Sequence, residues 1–590
     1  MSEKATVIEL DVLVVVGSGP RGAASTLLLA TYGVKTLCVS KYATTSRTPR
    51  SHITNQRTME VMRDLGLELE CEAMASPAEL MGENVYCTSL VGDELGRVLT
   101  WGTHPQRRAD YELASPTHMC DLPQNLLEPI MINHAVRRGV DVRFHTEFGS
   151  LKQDETGVTA TVRDHLLDRQ YDIRAKYLIG ADGANSQVVD QVGLPVEGKM
   201  GVSGSINVVF EADLTKYVGH RPSVLYWVIQ PGSSVGDLGI GVIRMVRPWN
   251  KWLCIWGYDI AGGTPAVDEA HARQIVHSLL GDSTIPVKIE STSTWTVNDM
   301  YATRLFDNRV FCMGDAVHRH PPTNGLGSNT SIQDAFNLCW KLSHVLQGKA
   351  GPELLATYNE ERAPVARQVV QRANKSLGDF PPILAALGLF NTKDPDQMQR
   401  NIARLKKEQS NEPHQEHGAA LPAAIQGTQY VYNAHGVEMN QRYQSAAIVP
   451  DGTPDPGFRR DSELYQPQLI ARPGAPVPHV WVNTHGRPVS TLDLCGKGRF
   501  SLLSGIAGSP WVEAAAHAAE SLGIDLDVHI IGPGQELEDL YGDFARVREI
   551  EESGALLVRP DNFICWRAMR WQEGSGDELR AALKRALSVH

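Results

Sequence analysis

The sequence predicts an α/β protein with three parts: a Rossmann-like dinucleotide-binding domain, a domain built on an antiparallel sheet, and a small C-terminal α/β domain. Three observations predict this fold class. The apolar run 12–16 leads through a glycine turn into a stretch with helical spacing. Residues 196–296 alternate short strands rich in Trp, Tyr and Ile with few helical signals. Near the end of the chain, an alanine-rich helix at 511–522 lies between apolar strands.

The glycine turn 17–22 has the sequence Gly-Ser-Gly-Pro-Arg-Gly, a G-x-G-x-x-G motif. Apolar residues spaced by three and four predict a helix directly after it, and 36–39 predict a second buried strand. A strand, a glycine turn, a helix and a strand within about 30 residues predict a dinucleotide site. In such a site Gly17, Gly19 and Gly22 let backbone N–H groups approach a pyrophosphate at the positive end of the helix.

The glycine turn does not decide which dinucleotide binds. A carboxylate usually binds the ribose at the end of the second strand, about 20 residues after the turn. This chain has Ser40 and Lys41 there instead. On the turn alone, FAD, NAD and NADP all remain open.

The composition of the 590-residue chain is ordinary for a soluble protein, with 42% hydrophobic and 21% charged residues. A net charge of −12 argues against binding to nucleic acid or to an anionic membrane surface. No apolar run reaches the ~18 residues that a membrane span needs. The nine cysteines form no C-x-x-C pair, so we expect reduced thiols in a cytoplasmic protein.

A polar loop at 47–57 follows the dinucleotide unit and carries Arg47, Arg50 and Arg57. Guanidinium groups match the geometry of phosphate oxygens, so these arginines are candidate partners of a pyrophosphate or a ribityl chain. The alternative is a solvated basic loop, and the local sequence leaves both open. Further on, 121–124 opens another predicted helix.

Two later apolar strands end in Asp182-Gly183 and in Gly314-Asp315. The second pair is followed by a loop rich in Pro, Gly and Asn, and a long helix is predicted to begin after Asn329.

His318 and His320 lie in the same region of the sequence. They have no third ligand nearby, and we therefore predict no metal site.

The three glycine-containing motifs stand in an order and spacing that resemble the single-component, FAD-dependent aromatic hydroxylases of the phenol hydroxylase group. The resemblance covers most of the chain. It includes the C-terminal region with the run 556–561, which is similar to the thioredoxin-like domain of phenol hydroxylases. The fold class it implies is α/β: a Rossmann-like FAD-binding domain, an antiparallel-sheet substrate domain and a C-terminal thioredoxin-like domain.

The expected domains follow from this plan, and the sequence leaves open whether strands near 80–115 belong to the substrate domain. The expected boundaries are 1–195 with 297–375 for the FAD-binding domain, 196–296 for the substrate domain, 376–430 for a helical linker, and 431–590 for the thioredoxin-like domain.

The resemblance also implies FAD as the cofactor. The glycine turn would hold its pyrophosphate, Asp315 its ribityl chain, and the loop before the long helix its isoalloxazine. The residues implied along FAD are Gly17, Gly19, Gly22, Arg50, Gln124, Asp182, Asp315, Pro322, Gly325, Gly327 and Asn329. Two departures from the family pattern are Ser40, in place of the ribose carboxylate, and Asn185, in place of an arginine after the Asp-Gly turn.

The chemistry that the family implies uses NADPH or NADH as a transient co-substrate, O2, and a small phenolic substrate. The ring is hydroxylated ortho to its hydroxyl through a flavin C4a-hydroperoxide. His52 matches the position of the ionisable residue that faces the substrate, and Asp121 would orient it. A neutral imidazole, with a pKa of about 6.5, could accept the proton of a phenol, whose pKa is about 10. The alternative for His52 is a hydrogen-bonded structural residue.

Two other functions stay open on the sequence. One is a hydroxylase that tailors polycyclic polyketides, and the other is a flavin-binding redox protein without oxygenase activity. No second nucleotide fold is evident, so we expect the nicotinamide to visit the FAD site transiently. We further expect a homo-oligomer with no nucleic-acid or membrane partner.

Overall fold

The computed structural model describes residues 8–16, 19–230, 239–389, 394, 396–397, 400–404, 416–465 and 470–590. Gly17, which was predicted to contact a pyrophosphate, lies outside these residues. Within the described parts, no helix combines the length and the apolar character needed to cross a bilayer.

The strands are numbered in chain order. They are β1 Ile8–Val16, β2 Thr36–Ser40, β3 Ile53–Thr54, β4 Glu83–Cys87, β5 Glu94–Leu99, β6 Cys120–Asp121, β7 Asp141–Arg143, β8 Thr146–Gln153, β9 Val158–Asp164, β10 Arg169–Ala181, β11 Val196–Glu211, β12 Leu225–Ile229, β13 Ile240–Arg247, β14 Lys251–Tyr258, β15 Lys288–Ala302, β16 Phe306–Asp307, β17 Val310–Cys312, β18 His318–Arg319, β19 Trp481–Thr484, β20 Arg487–Ser490, β21 Phe500–Ser504, β22 Leu526–Ile530, β23 Ala555–Val558 and β24 Ile564–Ala568.

The helices are numbered in the same way. They are α1 Pro20–Thr31, α2 Gln56–Asp64, α3 Glu68–Met74, α4 Pro105–Ala114, α5 Gln124–Arg137, α6 Gln187–Val192, α7 Thr215–Val218, α8 Glu269–Leu280, α9 Gly327–Leu346, α10 Thr357–Leu377, α11 Pro381–Ala386, α12 Glu416–Gly427, α13 Gln429–Tyr432, α14 His435–Met439, α15 Pro510–Leu522, α16 Asp543–Val547 and α17 Ser575–Ala586.

The first sheet has the order β16-β17-β10-β1-β2-β7, with β1 at its centre. β1 pairs in parallel with both β10 and β2, and β17 pairs in parallel with β10. Its side chains Val12, Leu13 and Val14 are buried on both faces, as expected for a parallel strand covered by helices. α1 packs against α5 and α9. The carboxyl ends of β1, β10 and β17 therefore lie next to one another at one edge of the sheet.

The second sheet has the order β18-β15-β11-β14-β13-β12-β4-β5. Its pairings are antiparallel except for the parallel pair of β12 and β4, so the strands over 83–99 belong to this sheet. Gly241 of β13 lies against Leu279 of α8. Successive residues of a strand point to opposite faces, so Arg244 is on the face away from α8. That face turns toward the first sheet.

The C-terminal sheet has the order β22-β21-β23-β24, in which only β21 and β22 are parallel. α15 and α17 pack on each other beside it. The order second-first-third-fourth is that of a thioredoxin-like domain. Between α10 and this domain, Phe380 stacks on Trp227 with ring centres 4.5 Å apart, so the intervening segment packs on the second sheet.

The long helix α9 begins at Gly327, three residues earlier than the sequence predicted. The reason is the Asn329 side chain, which bonds back to the carbonyl oxygens of Ile53 and Gly325 instead of capping the helix from outside. Strand β8 was not predicted, because its residues are mostly half-buried or exposed and form no apolar run in the sequence.

A fully buried group of charges joins the C-terminal domain to α10. Arg559 Nη2 lies 2.9 Å from Glu361 Oε2 and 2.6 Å from Asp561 Oδ2. Lys341 Nζ donates to the same Glu361 oxygen at 2.8 Å. Burial alone would raise the pKa of Glu361, but Arg559 and Lys341 outweigh it and hold that pKa below its usual value. The two cations and two anions therefore neutralise one another inside the protein.

Arg559→Met is expected to reduce the free energy of unfolding by about 3 kcal/mol, because it leaves buried carboxylates without their cation. Urea unfolding followed by tryptophan fluorescence measures this loss. The matched control is Arg108→Met, which breaks an exposed pair with Glu112 and should change stability little. Equal effects of the two changes would contradict a stabilising role for the buried group.

Candidate active site

The neighbouring ends of β1, β10 and β17 bring together glycines from distant parts of the sequence. An ideal Cβ built on Gly314 would lie 2.2 Å from Arg21 Cδ, one on Gly19 would lie 2.9 Å from Arg21 Cζ, and one on Gly183 would lie 3.1 Å from Arg21 Nη2. Gly314 also has φ +62°, a backbone conformation that residues with a side chain rarely adopt. We call Gly19, Gly183 and Gly314 the glycine cleft. Gly22 is buried in the first turn of α1 beside it.

Asp315 extends from the glycine cleft with a half-exposed carboxylate. Its Oδ1 lies 3.1 Å from Nη1 of Arg21. Desolvation acts to raise the Asp315 pKa. Arg21 and, after it, His318, His320 and Arg319 lower this pKa by more, so the net shift is downward. Asp315 is therefore an ionised acceptor that faces outward, as a partner of ribityl hydroxyls must be.

Asp182 has a different set of partners. Its carboxylate accepts hydrogen bonds from Ser186 Oγ at 2.6 Å and from the Val188 backbone N–H at 3.2 Å, so it stabilises the start of α6. Burial raises its pKa. In the structure its polar contacts are thus local, and a contact with a cofactor remains a prediction.

Arg50 and Gln124 are brought together by the backbone, since the Gln124 N–H donates to the Arg50 carbonyl at 2.9 Å. The Gln124 side chain donates to Ser46 Oγ at 2.8 Å, and Arg50 Nη2 donates to Ser293 Oγ at 3.2 Å. Arg50 Nε is buried and has no hydrogen-bond partner among the described residues. Burial lowers the pKa of the Arg50 guanidinium, while Asp315 opposes that shift. Arg50 is thus a half-buried cation whose buried Nε–H has no acceptor among the described residues.

The loop before α9 is tied to the segment that follows His52. Asn329 Nδ2 donates to the carbonyls of Ile53 at 2.8 Å and Gly325 at 2.6 Å, and Asn329 Oδ1 accepts from the Asn55 N–H at 3.0 Å. Gly325 has φ +65°, and a Cβ on it would lie 3.0 Å from Ile53. These contacts fix the spacing between the loop and His52.

The other two predicted loop residues lie on its accessible side. Pro322 is exposed, and Gly327 is half-buried beside His320. These observations do not test the cofactor role predicted for Pro322 and Gly327, which stays a prediction.

Asp334 of α9 also stabilises the turn that carries Gly314 through hydrogen bonds. Asp334 Oδ2 accepts from the Gly314 N–H at 3.2 Å and lies 2.9 Å from His318 Nε2. Asp334 Oδ1 accepts from Arg362 Nε at 2.8 Å. Arg362 Nη1 in turn donates to Gln441 Oε1 at 2.7 Å, which links this turn to the chain beyond α14. His318 is therefore part of a buried hydrogen-bond network.

His52 and Asp121 are brought together by the short ribbon of β3 and β6. His52 Nδ1 lies 3.1 Å from Asp121 Oδ1, and the other Asp121 oxygen accepts from Arg244 Nη2 at 2.8 Å. All three side chains are buried. Arg244 comes from β13 of the second sheet, so the triad joins that sheet to the β3–β6 ribbon.

The second ring nitrogen of His52 also faces an acceptor. Nε2 lies 3.1 Å from the Pro49 carbonyl oxygen, which can only accept a hydrogen bond. A neutral imidazole has one N–H and can donate to only one of its two neighbours. With Nδ1–H directed at Asp121, Nε2 has no proton, and its lone pair faces the Pro49 carbonyl oxygen. When His52 gains a proton, Nε2–H can donate to Pro49.

The charges around His52 favour its neutral form. Burial lowers the His52 pKa most, Arg244 lowers it further, and Asp121 only partly restores it. For Asp121, burial acts to raise the pKa, but Arg244 and His52 outweigh it and the net shift is downward. The resulting state is an ionised Asp121 between a guanidinium and a neutral imidazole, the form in which a histidine accepts protons.

Two residues of this region were not predicted as site residues. They are Arg244, in a predicted strand of the substrate domain, and Arg21, in the glycine turn. The available signal was the same for both: a lone arginine inside an otherwise apolar strand or helix face. Such a residue needs a buried partner, but the sequence does not say which one.

Comparisons with known proteins agree with this geometry. Residues 9–373 match the family described as FAD binding domain, and residues 471–588 match the family described as aromatic-ring hydroxylase, C-terminal. The chain belongs to the FAD-dependent aromatic-ring hydroxylases. It is an FAD-dependent aromatic monooxygenase, as the sequence predicted.

This hydroxylase has close relatives with named activities. It is 94% identical to a 2,4-dichlorophenol 6-monooxygenase of Delftia acidovorans, over 100% of both chains. It is 60% identical to an enzyme of the same name from Cupriavidus pinatubonensis, over 99% of this chain and 97% of the other. It is 48% identical to a phenol 2-monooxygenase of a Pseudomonas species, over 95% of this chain and 90% of the other.

Solved structures of related proteins contain the expected cofactor. The flavin-dependent monooxygenase PieE, in complex with FAD and substrate, superposes with a TM-score of 0.92 at 43% identity, over 98% of this chain and 99% of that one. A ternary complex of aklavinone-11 hydroxylase with FAD and aklavinone gives a TM-score of 0.80 at 28% identity, over 99% and 100% of the two chains. The predicted fold class and the predicted cofactor, FAD, are confirmed.

The described residues of this hydroxylase fit an FAD molecule. At the glycine cleft, a Cβ on Gly19 or Gly314 would collide with the Arg21 side chain, and one on Gly183 would lie tightly against it. Arg50 has a buried donor without a partner, and the Asp315 carboxylate is ionised and half exposed. The protein thus offers glycines that a pyrophosphate can approach, a cation that can pair with it, and a carboxylate that can accept hydrogen bonds from hydroxyl groups.

Arg244→Met is expected to raise the pKa of His52, because it removes a nearby positive charge and leaves the Asp121 carboxylate to attract a proton. A pH titration by NMR with histidine-selective 13C labelling measures this, with the His52 signal assigned from a His52→Gln variant. Arg244→Lys keeps the charge and serves as the control, with a smaller shift expected. A pKa that stays constant or falls in Arg244→Met would contradict the electrostatic assignment.

Proposed function

We propose that this enzyme hydroxylates a small phenol at the carbon next to its hydroxyl, with 2,4-dichlorophenol as the substrate of choice. The observation that carries the proposal is the buried His52–Asp121–Arg244 triad, which lies against the loop before α9. The relative at 94% identity is named for hydroxylation at position 6 of 2,4-dichlorophenol, a ring carbon adjacent to the one that bears the hydroxyl. The site thus provides a base where a phenolic proton has to be removed.

FAD, when bound, takes electrons from the nicotinamide and supplies the chemistry that transfers one atom of O2 to the ring. We propose that Gly19, Gly22 and Gly17 approach its pyrophosphate and that Arg50 and Gln124 lie along it. Asp315 would accept hydrogen bonds from its ribityl chain.

The loop residues Pro322, Gly325, Gly327 and Asn329 would approach the isoalloxazine. Its reduction creates negative charge, which the N-terminal end of α9 would stabilise.

The base in this proposal is Nε2 of His52. Electrophilic hydroxylation needs an electron-rich ring, and a phenolate is richer in electrons than a phenol. Asp121 accepts Nδ1–H and so directs the lone pair of Nε2 away from itself. The proton taken from the phenol can then be held between Nε2 and the Pro49 carbonyl. Arg244 keeps Asp121 ionised, so the proton remains on His52 and does not pass to the carboxylate.

We further propose that NADPH or NADH reaches the FAD transiently, since the only dinucleotide motif is the one at the first sheet. All nine cysteines are free and buried, which suits the reducing cytoplasm in which we expect the enzyme to act. A homo-oligomer remains our expectation.

Tailoring of polycyclic polyketides is the weaker candidate. The relatives with polyketide names include a tetracenomycin A2 monooxygenase-dioxygenase of Streptomyces glaucescens at 32% identity. The relatives named for 2,4-dichlorophenol and phenol are 48% to 94% identical. A flavin protein without oxygenase activity finds less support still, because the C-terminal region matches a family described as aromatic-ring hydroxylase and the relatives at 48% to 94% identity are named monooxygenases.

His52→Ala is expected to slow hydroxylation of phenol by about 100-fold, the usual contribution of a positioned base. The loss should shrink for more acidic chlorinated phenols, which ionise without help. The base must be neutral, so the wild-type rate should fall as the pH drops through the His52 pKa, which is lowered from 6.5. Steady-state kcat/KM over a pH series, with phenol and 2,4-dichlorophenol, measures both effects.

The control for His52→Ala is the FAD content of the purified variant, which should equal that of the wild type. A pH profile that keeps its acidic limb in the variant, or an equal loss with every phenol, would dismiss His52 as the base.

The reaction itself is tested with 2,4-dichlorophenol, phenol and a hydroxylated polycycle in parallel. With 2,4-dichlorophenol we expect one O2 and one nicotinamide to be consumed for each molecule of 3,5-dichlorocatechol formed. Oxygen uptake and product analysis, with NADH and NADPH in turn, measure this. Faster turnover of the polycycle would favour the polyketide candidate, and nicotinamide oxidation indifferent to any phenol would exclude both.

A further inference from the structure

Arg21 lies over the glycine cleft although no part of the proposed mechanism uses it. It stands in the first turn of α1, and its side chain is only 3% exposed. Its guanidinium carbon lies 2.9 Å from the ideal Cβ position of Gly19, its Nη2 3.1 Å from that of Gly183, and its Cδ 2.2 Å from that of Gly314. The three strand ends that meet at the site thus all face one arginine.

The polar contacts of Arg21 join two of these strand ends. Nη1 lies 3.1 Å from Asp315 Oδ1, after β17, and Nε donates to the Ala181 carbonyl at 3.4 Å, at the end of β10. Burial raises the pKa of Glu128 to about 7, and the nearby Arg21 partly opposes this shift; the buried Oε1 of Glu128 has no hydrogen-bond partner among the described residues. The guanidinium is therefore the positive centre of a region that contains several carboxylates.

This arrangement answers an electrostatic difficulty at the cofactor site. The pyrophosphate of FAD carries two negative charges and has to approach Gly19. Asp315 is ionised and stands on the same sheet edge. Without a cation between them, the phosphates and this carboxylate would repel each other at short range. A guanidinium has five donors in a planar fork and can bind a carboxylate and a phosphate together.

We propose that Arg21 binds the pyrophosphate of FAD while it keeps its ion pair with Asp315. Arg21 would thus be a cofactor-binding residue that adds a side-chain charge to the backbone N–H groups of the glycine turn. The inference rests on the FAD cofactor and on the geometry of the cleft. It is independent of which phenol the enzyme hydroxylates.

The test titrates the full-length chain, stripped of FAD, with FAD, FMN and riboflavin, and follows the change in flavin fluorescence. Arg21→Met is expected to weaken FAD about 10- to 100-fold, the loss typical of a charge-assisted hydrogen bond. Riboflavin has the ribityl chain and isoalloxazine but no phosphate, so its affinity should change less than about threefold on the same argument. FMN, with one phosphate, should fall between them.

Two variants make the result specific. Arg21→Lys keeps the charge and should retain most of the FAD affinity. Arg319→Met removes another cation near Asp315, but the contacts of Arg319 are with the Asp315 and Ala316 carbonyls and do not involve the cleft. It should weaken FAD less than Arg21→Met does. In the wild type, FAD affinity should fall with added salt, and this dependence should be smaller in Arg21→Met.

Three results would overturn the proposal. Unchanged FAD affinity in Arg21→Met would show that the guanidinium makes no useful contact. Tighter FAD binding would show that Arg21 competes with the cofactor for the cleft. Equal weakening of FAD and riboflavin would show that Arg21 supports the fold of the site and not the phosphates.

Discussion

The site depends on one constraint of the backbone: three adjacent parallel strands, β1, β10 and β17, must end at the same sheet edge, each followed by a turn that contains glycine. Parallel pairing brings these ends together although they are separated by more than a hundred residues of sequence. Glycine at each end then lets a ligand reach the main chain directly. The second sheet, the loop before α9 and the β3–β6 ribbon pack around this edge.

The region around His52 follows a similar logic with charges in place of glycines. Asp121 is buried and ionised because Arg244 approaches it from the second sheet and His52 lies beside it on the β3–β6 ribbon. An isolated carboxylate in such a place would take up a proton. Because it does not, the imidazole is left neutral and oriented, and Nε2 carries no proton. One ion pair therefore sets the protonation state of a residue that does not touch Arg244 directly.

Most of the fold could be predicted from the sequence because the apolar runs of β1, β10 and β17 and the turns after them are local signals. The pairing of His52 with Asp121 was accessible only through the resemblance, since 69 residues separate them and no periodicity connects them. The contact of Arg244 with Asp121 could not be predicted, because the sequence does not show which element packs against each face of the strand that carries Arg244. The early start of α9 was missed because it depends on Asn329 bonding to Ile53, a contact between distant segments.

The link from Gly314 through Asp334 and Arg362 to Gln441 lets the segment between α14 and the C-terminal sheet help to hold the turn that carries Gly314. Tyr443 adds a second contact to Arg362 at 3.1 Å. A chimera that takes its C-terminal half from a distant relative would have to bring a matching acceptor for this arginine. The terminal domain and the first sheet are in this sense a single inherited unit, and recombination between family members should preserve the two together.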